Sequence, residues 1–363
     1  MSSPPPKPIV LHIGDPIQWN HSLYSQFSTD FTVIRPSTEE RQRPEFIKAL
    51  KEKRWGNFAA IFRPFWNTGG EMGRWDRELI PLIPESCKIF ASAGAGYDWA
   101  DVDILSERGI IYCNSAAASS ESVGDFALFL ILSTFRNLAW CTTASLTPQT
   151  FQDCHTNSAA ISHNPRGHVL GIIGLGNIGF TIALKAYHAF HMKIIYYDLA
   201  RKSPTQEQKV DAKYVGSLDE LLGQSDCVVL ATPATPDGKQ VITEEKVRKM
   251  KMGSRFINIA RGSLVSTTAL YNGLQSGRLI GLGLDVHENE PTIDTRLKNH
   301  KNVTLTAHNA GGTLETHIGF ESLSMQNIDA VLKGKDALTP VNKHLITDKA
   351  NKHTPSKHGG QKL

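Results

Sequence analysis

The chain has 363 residues, of which 40% are hydrophobic and 20% are charged, and its formal net charge at pH 7 is +4. This length is enough for two ordinary domains with a large buried core, and the composition is that of a globular protein. The 39 basic residues nearly balance the 35 acidic ones, which argues against a nucleic-acid partner.

The five cysteines form no C-x-x-C pair and are odd in number, which indicates reduced thiols rather than a disulfide framework. The first residues, MSSPPPKP, lack the apolar segment of a secretory signal. No apolar run is long enough to cross a bilayer. We therefore expect a cytoplasmic protein with no membrane partner and no metal site.

The first third of the chain contains four short apolar segments that have the length and bounds of buried strands. Polar segments suited to helices separate them, and this alternation is typical of a parallel sheet with helices on both faces. The segments are 7–14, 58–65, 87–94 and 109–114.

An aromatic-rich segment, RPFWNTGGEMGRW, follows the second of these predicted strands. Its rings at Phe65, Trp66 and Trp75 suit the wall of a pocket for a bulky or aromatic substrate. They suit the core of the domain equally well. The sequence leaves these two interpretations open.

From Ser119 to Trp140 the chain is apolar nearly all round, which predicts a helix buried between domains or subunits. The polar stretch that follows, 141–167, shows no clear period and is interpreted as an excursion or arm. Residues 315–334 carry apolar side chains at helical spacing. Beyond Pro340 the chain is rich in Lys, His and Gly, and we expect a disordered tail.

A second series of strand segments lies between these two helices. Each gap between consecutive segments is long enough for a crossover helix, which is the pattern of a doubly wound dinucleotide-binding domain. The segments are 168–174, 193–198, 227–232, 255–260, 279–286 and 303–308.

The stretch GIIGLGNIG places Gly174, Gly176 and Gly179 in G-x-G-x-x-G spacing. It follows a predicted strand and opens a predicted helix, so the helix N-terminus is expected to face a pyrophosphate. An ordinary tight turn is the alternative.

The next predicted strand ends in Asp198, which lies 19 residues beyond Gly179 (198 − 179). A carboxylate at this position is expected to bind the adenosine ribose hydroxyls and to repel a 2′-phosphate. The cofactor is therefore expected to be NAD(H). Arg201 and Lys202 leave NADP(H) as the less favoured alternative, because they could accommodate that phosphate.

Three later strand ends carry chemically distinctive residues: Arg261, the run GLDVHENEP, and His308. Ligands of open parallel sheets bind outside the carboxyl ends of the strands, so these residues are expected to converge. A guanidinium suits a substrate carboxylate, and an imidazole suits reversible proton transfer at neutral pH. A neighbouring carboxylate would stabilise the imidazolium. Taken singly, each residue could instead be structural or exposed.

The motifs GLGNIG, NIARGSLV, GLDVHENEP and TAHNAGG, in this order and spacing, resemble the D-isomer-specific 2-hydroxyacid dehydrogenases over about residues 7–335. EKRWGNFAAI, ASAGAGYDWADVD and HNPRGHVLG are further similar to the D-mandelate dehydrogenase branch. The resemblance implies an α/β fold of two doubly wound domains, with a Rossmann NAD-binding domain inserted into a discontinuous flavodoxin-like substrate domain. The implied domains are 7–118 plus 312–340 for substrate and 119–311 for NAD, with 341–363 as the tail, usually in a homodimer.

Carried over residue by residue, the resemblance implies that Arg261, Glu290 and His308 are catalytic. It assigns Asp285 to the nicotinamide carboxamide and gives His287 and Glu288 no catalytic role, so both are expected at the surface. The cofactor contacts that it implies are Gly174, Gly176, Asn177, Ile178, Gly179, Asp198, Thr232, Pro233, Ala260, Arg261, Asp285, His308 and Gly311.

Substrate binding is expected from the backbone N–H groups of Ala95 and Gly96 at a strand end, together with Arg261 and His308. An ordinary glycine turn at Gly96 is the alternative.

The predicted function is an NAD-dependent D-2-hydroxyacid dehydrogenase, acting as a 2-oxoacid reductase on a D-mandelate-like substrate. A glyoxylate or hydroxypyruvate reductase is the alternative within this class. An NAD-sensing, corepressor-like binding protein is the alternative outside it. Formate dehydrogenases resemble the chain less, because they have Gln in the place of Glu290.

Overall fold

The computed structural model describes residues 6–65, 68–234, 238–298 and 300–346. The chain divides into two compact units: unit 1 is Met1–Ala118 with Leu314–Leu363, and unit 2 is Ser119–Thr313. Unit 2 is therefore inserted into the chain of unit 1. The second junction lies two residues later than the sequence predicts.

Unit 1 is built on a five-stranded sheet in which every neighbouring pair is parallel. Its order, β2-β1-β3-β4-β5, is that of a flavodoxin-like doubly wound sheet. The strands are β1 (Ile9–His12), β2 (Thr32–Ile34), β3 (Ala60–Arg63), β4 (Ile89–Ser92) and β5 (Ile111–Cys113). The helices are α1 (His21–Asp30), α2 (Arg43–Lys51), α3 (Val102–Glu107) and α13 (Leu314–Leu332).

The aromatic side chains of unit 1 form its core. The Trp75 ring is fully buried, with its centroid 5.0 Å from that of Phe90 and 5.7 Å from that of Phe46. Phe65 is also buried. These rings therefore belong to the domain core, while Trp66 lies outside the described residues.

Unit 2 is built on a seven-stranded parallel sheet with the order β12-β11-β10-β9-β6-β7-β8. The order in which the chain adds strands to the sheet changes direction between β6 and β9. Open α/β sheets bind ligands at such a point. The strands are β6 (Val169–Ile173), β7 (Lys193–Tyr197), β8 (Lys213–Tyr214), β9 (Cys227–Leu230), β10 (Ser254–Asn258), β11 (Leu279–Leu284) and β12 (Val303–Leu305).

In unit 2, three helices precede the first strand and one helix lies between each pair of consecutive strands. The first helix, α4, begins at Ala116, three residues before unit 2 begins. The helices are α4 (Ala116–Arg136), α5 (Leu138–Ala144), α6 (Pro148–Asn157), α7 (Asn177–Phe190), α8 (Pro204–Gln208), α9 (Leu218–Gln224), α10 (Glu244–Lys249), α11 (Thr267–Gln275) and α12 (Thr295–Lys298). The predicted fold class, two doubly wound α/β units with parallel sheets, is confirmed.

The predicted strand segments all overlap observed strands, but β2 and β8 were not predicted. Both are edge strands, of three and two residues, and neither contains a buried residue, so neither shows the buried apolar run by which the other strands were predicted.

The interpretation of 141–167 as an aperiodic arm was wrong, because the segment contains α6 and the end of α5. The Thr147 side chain caps α6 by accepting from the Thr150 N–H, and Pro148 begins the helix. Both are start signals that the sequence displays.

The expectation that no apolar run reaches membrane-spanning length was also wrong. By length and hydropathy α4 could cross a bilayer. Its side chains at Leu130, Ile131 and Phe135 are instead fully buried in a cluster with Leu170 of β6. The apolar character of α4 therefore serves the core of unit 2.

The assignment of 341–363 to a disordered tail was wrong at its start. The Asn342 side chain is fully buried: its Oδ1 accepts from the Tyr112 N–H at 2.8 Å, and its Nδ2 donates to Ser106 Oγ at 2.8 Å and to the Ile110 carbonyl at 3.0 Å. These bonds fix the chain at the edge strand β5. Residues 347–363 lie outside the described part of the chain.

We predict that Asn342→Ala destabilises the protein by about 2 kcal/mol, because it removes the side-chain partner of the buried Tyr112 N–H and of the Ile110 carbonyl. Urea unfolding followed by circular dichroism would measure the change. Lys343→Ala is the matched control: its ion pair with Asp336 is exposed, so a change within about 0.5 kcal/mol is expected. Equal stability of the two variants would contradict the prediction.

Candidate active site

The glycine turn joins β6 to α7, as a dinucleotide site requires. A Cβ at Gly179 would lie 2.0 Å from the carbonyl oxygen of Gly174, so the helix approaches the strand more closely than any other residue allows. A Cβ at Gly176 would meet nothing within 4 Å. The turn thus has space beside the N-terminus of a 14-residue helix, and it fits a pyrophosphate group.

Asp198 follows β7 and is tied to the glycine turn. Its Oδ2 accepts from the Leu175 N–H and from Lys202 Nζ, each at 2.9 Å. Burial opposes ionisation of Asp198, but these hydrogen bonds outweigh it and the pKa of the carboxyl is lowered. An anion therefore stands beside the turn, where a ribose ligand is expected.

The other expected cofactor residues all lie beyond carboxyl ends of strands in unit 2. Asn177 and Ile178 form the first turn of α7, Thr232 and Pro233 follow β9, Ala260 follows β10, and Gly311 follows β12. Because parallel strands end at the same edge of a sheet, these residues belong to one edge.

His308 and Glu290 form a hydrogen-bonded pair, with Nδ1 of the imidazole 2.8 Å from Oε2 of the carboxylate. Burial opposes ionisation of Glu290, but hydrogen bonds from His308 and from the His287 amide lower its pKa. An ionised carboxylate only accepts hydrogen bonds, so Nδ1 carries the hydrogen.

Asp285 holds the turn that presents His308, a role that the sequence did not reveal. Its buried Oδ1 accepts from Thr306 Oγ1 at 2.8 Å and from the Asn309 N–H at 3.1 Å. Its Oδ2 accepts from the Ala310 N–H at 2.9 Å. Its carbonyl oxygen accepts from the His308 N–H at 2.8 Å. These bonds maintain His308 at φ 51°, a conformation uncommon for residues with a Cβ.

The surface assignment of His287 was wrong. The residue is half-buried. Its Nε2 donates to the Thr306 carbonyl at 2.7 Å, and its backbone N–H donates to Glu290 Oε1 at 2.8 Å. His287 therefore fixes Glu290 against the strand end that leads to His308.

Glu288 is exposed as expected, but it also has a structural contact. Its Oε2 accepts from the Thr267 N–H, the first residue of α11, at 3.0 Å. A carboxylate at a helix N-terminus accepts a hydrogen bond from a free backbone N–H and interacts favourably with the positive end of the helix dipole. Only a three-dimensional contact between residues 21 positions apart (288 − 267) reveals this role.

Arg261 lies in a turn packed against the loop that carries Glu290. Its Nη1 donates to the Ala260 carbonyl at 2.8 Å, and Asn258 Nδ2 donates to the Arg261 carbonyl at 3.0 Å. A Cβ at Gly262 would lie 2.0 Å from the carbonyl carbon and oxygen of His287. Only glycine permits this approach, which brings the two loops into contact.

In unit 1, Ala95 and Gly96 follow β4 in a turn that begins at Gly94, whose φ is +84°. The Ala95 carbonyl accepts from Asn114 Nδ2 at 2.9 Å. Within the described residues, the N–H groups of Ala95 and Gly96 donate no hydrogen bond. Two adjacent backbone donors fit an anion; binding of the substrate carboxylate here stays a prediction.

The chain matches the family model described as "D-isomer specific 2-hydroxyacid dehydrogenase, NAD binding domain" over residues 128–310. It is 36% identical over 330 residues to 4-methyl-2-oxopentanoate reductase A of Aspergillus oryzae, covering 90% of this chain and 96% of that protein. It is 35% identical over 286 residues to a glyoxylate reductase of Thermococcus kodakarensis, covering 75% and 81%. Its structure resembles that of the apo form of Rhodotorula graminis D-mandelate dehydrogenase, with 44% identity, a TM-score of 0.87 and coverage of 93% of this chain and 98% of that one.

We predict that Gly262→Ala destabilises the protein by about 1–3 kcal/mol, because the added methyl group must push the His287 backbone away. Separation of the two loops should also lower kcat/KM at least about tenfold. Gly216→Ala is the control, since its Cβ would have only Glu220 Oε2 within 4 Å, at 3.9 Å. Thermal unfolding and kinetics of both variants check this; wild-type behaviour of Gly262→Ala would refute the packing argument.

Proposed function

The chain belongs to the D-isomer-specific 2-hydroxyacid dehydrogenase family, and we propose that it uses Arg261, Glu290 and His308 to reduce a bulky 2-oxo acid with NADH. It is an oxidoreductase that interconverts 2-hydroxy and 2-oxo acids. The observation that carries the proposed roles is the His308–Glu290 pair, held at 2.8 Å at the strand ends of a glycine-loop domain.

His308 acts as the acid and base of the reaction. In reduction, its Nε2–H gives a proton to the oxygen that becomes the hydroxyl, and in oxidation the same nitrogen removes that proton. Glu290 stabilises the imidazolium and keeps the hydrogen on Nδ1. A carboxylate that stays ionised at neutral pH suits this role, because the lowered pKa of Glu290 keeps it an acceptor.

Arg261 binds the carboxylate of the substrate and polarises the carbonyl group that is reduced. The family resemblance also implies the backbone N–H groups of Ala95 and Gly96, in unit 1, as donors for a substrate carboxylate. A bound nicotinamide dinucleotide supplies or accepts the hydride at C2 of the substrate.

The preferred substrate in this proposal is D-mandelate-like. The similarity to a D-mandelate dehydrogenase and to a 4-methyl-2-oxopentanoate reductase supports it, because both names specify acids with large side chains. Glyoxylate or hydroxypyruvate reduction is the second candidate, supported by the similarity to glyoxylate reductases. An NAD-sensing binding protein has no such support, since these relatives are named as enzymes.

NADH is the proposed cofactor, held by the residues of the glycine turn and by Asp198. The ionised Asp198 favours a ribose with two free hydroxyls over one with a 2′-phosphate. A homodimer, which the family resemblance implies, and a cytoplasmic location, which the sequence composition favours, stay predictions.

We predict that His308→Gln lowers kcat about a hundredfold to ten-thousandfold, because no other group there exchanges the proton. Binding of NADH, measured by fluorescence titration, should remain near that of the wild type. His188→Gln, on the exposed face of α7, is the control and should leave kcat unchanged. A His308→Gln variant with ordinary turnover would remove His308 from the mechanism.

Glu290→Gln should lower kcat for reduction less than His308→Gln, because the amide oxygen can still accept from Nδ1–H but carries no charge to offset a cationic ring. Kinetics of the two variants under the same conditions measure the difference. A loss as large as that of His308→Gln, or no loss at all, would argue against the proposed role of Glu290.

The substrate is tested with a panel of benzoylformate, 4-methyl-2-oxopentanoate, glyoxylate and hydroxypyruvate, each with NADH and with NADPH. We expect kcat/KM to be highest for benzoylformate with NADH. Activity on glyoxylate without activity on benzoylformate would reverse the ranking of the two candidates.

A further inference from the structure

The turn after β7 carries two cations, Arg201 and Lys202, directly beyond Asp198. A guanidinium in this turn would suit a 2′-phosphate on the adenosine ribose, because Arg binds phosphate through two parallel hydrogen bonds. The sequence alone therefore leaves the cofactor preference open. The contacts of the two cations are what separate the alternatives.

Arg201 is held by Glu207 of α8. Its Nε donates to Glu207 Oε1 at 2.9 Å, and its Nη2 donates to Glu207 Oε2 at 2.8 Å. The guanidinium thus makes a two-point contact with a carboxylate through Nε and Nη2, of the kind that it would make with a phosphate.

Glu207 is a fixed partner rather than a mobile surface acid. Its side chain is only 9% exposed, and its Oε1 accepts from the Tyr196 hydroxyl at 2.6 Å. Hydrogen bonds from Arg201 and Tyr196 lower its pKa to about 2. Its backbone carbonyl also accepts from the Ala212 N–H at 2.9 Å, which anchors the residue behind α8.

Lys202 pairs with Asp198 rather than with Glu207. Its backbone N–H donates to the Tyr196 hydroxyl at 2.8 Å, and its Nζ lies 2.9 Å from Asp198 Oδ2. The buried Tyr196 therefore connects both pairs: it donates to Glu207 and accepts from Lys202. Each cation of the turn has its own carboxylate.

We propose that Glu207 sets the preference of this chain for NADH over NADPH by engaging the Arg201 guanidinium, which would otherwise be available to a 2′-phosphate. This inference rests on the proposed function, in which Asp198 binds the adenosine ribose. Asp198 disfavours the 2′-phosphate by direct charge repulsion. Glu207 acts indirectly, because it holds the Arg201 guanidinium that could bind the phosphate. Glu207 is in this sense a specificity-determining residue that touches no cofactor.

Glu207→Gln tests this directly. The amide nitrogen of Gln cannot accept a hydrogen bond, so one of the two bonds to Arg201 is lost together with the charge. The dissociation constants of NADPH and NADH are measured by fluorescence titration without substrate. We expect NADPH affinity to rise at least about fivefold relative to that of NADH.

Two variants show whether the effect runs through Arg201. In Arg201→Ala/Glu207→Gln the gain in NADPH affinity should disappear. Glu220→Gln, on the neighbouring helix α9, removes the same charge where the carboxylate accepts from the Gly216 N–H and from Gln224 Nε2, and it should leave the affinity ratio unchanged. A gain that persists without Arg201, or that Glu220→Gln reproduces, would overturn the proposal.

Arg201→Ala alone keeps the test decisive if Glu207→Gln does not fold, because Arg201 is 64% exposed and its removal leaves Glu207 and Tyr196 bonded. We expect no change in NADPH affinity, since the guanidinium is already engaged. Weaker NADPH binding in this variant would show that Arg201 serves the phosphate in the native chain and would refute the proposal.

Asp198→Ala distinguishes failure of this inference from failure of the proposed function. NADH affinity should fall in Asp198→Ala, because the ribose ligand is lost. Unchanged NADH affinity would refute the cofactor site itself, and the role of Glu207 with it. Weakened NADH binding in Asp198→Ala, with an unchanged affinity ratio in Glu207→Gln, would refute only the role of Glu207.

Discussion

The backbone position of His308, a proposed catalytic residue, depends on the buried carboxylate of Asp285. Three donors from residues 306–310 converge on its two oxygens, and its carbonyl oxygen accepts from the His308 N–H. Its own N–H donates to the Asn258 carbonyl, which joins the turn to β10. Loss of this carboxylate would leave the buried Ala310 N–H without its acceptor and release His308 from an uncommon backbone conformation. Asp285 therefore sets the backbone position from which the imidazole extends.

A second constraint is the pairing of three acids of unit 2 with donors of their own. Glu290 pairs with His308, Asp198 with Lys202, and Glu207 with Arg201. Because each carboxylate is held ionised, each acts as an acceptor only. The hydrogen on Nδ1 of His308 and the engagement of the cations after β7 both follow from this. The proposed proton transfer and the proposed cofactor preference thus have one electrostatic basis.

Elements of the fold were predictable where the pattern is local and long enough. The apolar segments marked every strand except β2 and β8, two edge strands that contain no buried residue. In the segment 141–167, Thr147 and Pro148 are local signals of a helix start. The helix was nevertheless not predicted, because the polar composition of the segment was given more weight than these signals. Trp75 could not be assigned to core or pocket, because an aromatic side chain suits both until its neighbours are known.

The sequence by itself determined the family, the glycine turn at 174–179 and the residue types of the reaction, because these depend on spacing along the chain. Only the tertiary structure decided what holds them. The contact of Gly262 with His287, the anchoring of 306–310 by Asp285, the burial of Asn342 and the engagement of Arg201 by Glu207 all join groups whose partners are selected by packing. The physical reason is that a hydrogen bond needs a partner within about 3 Å in a fixed direction, and sequence spacing specifies neither.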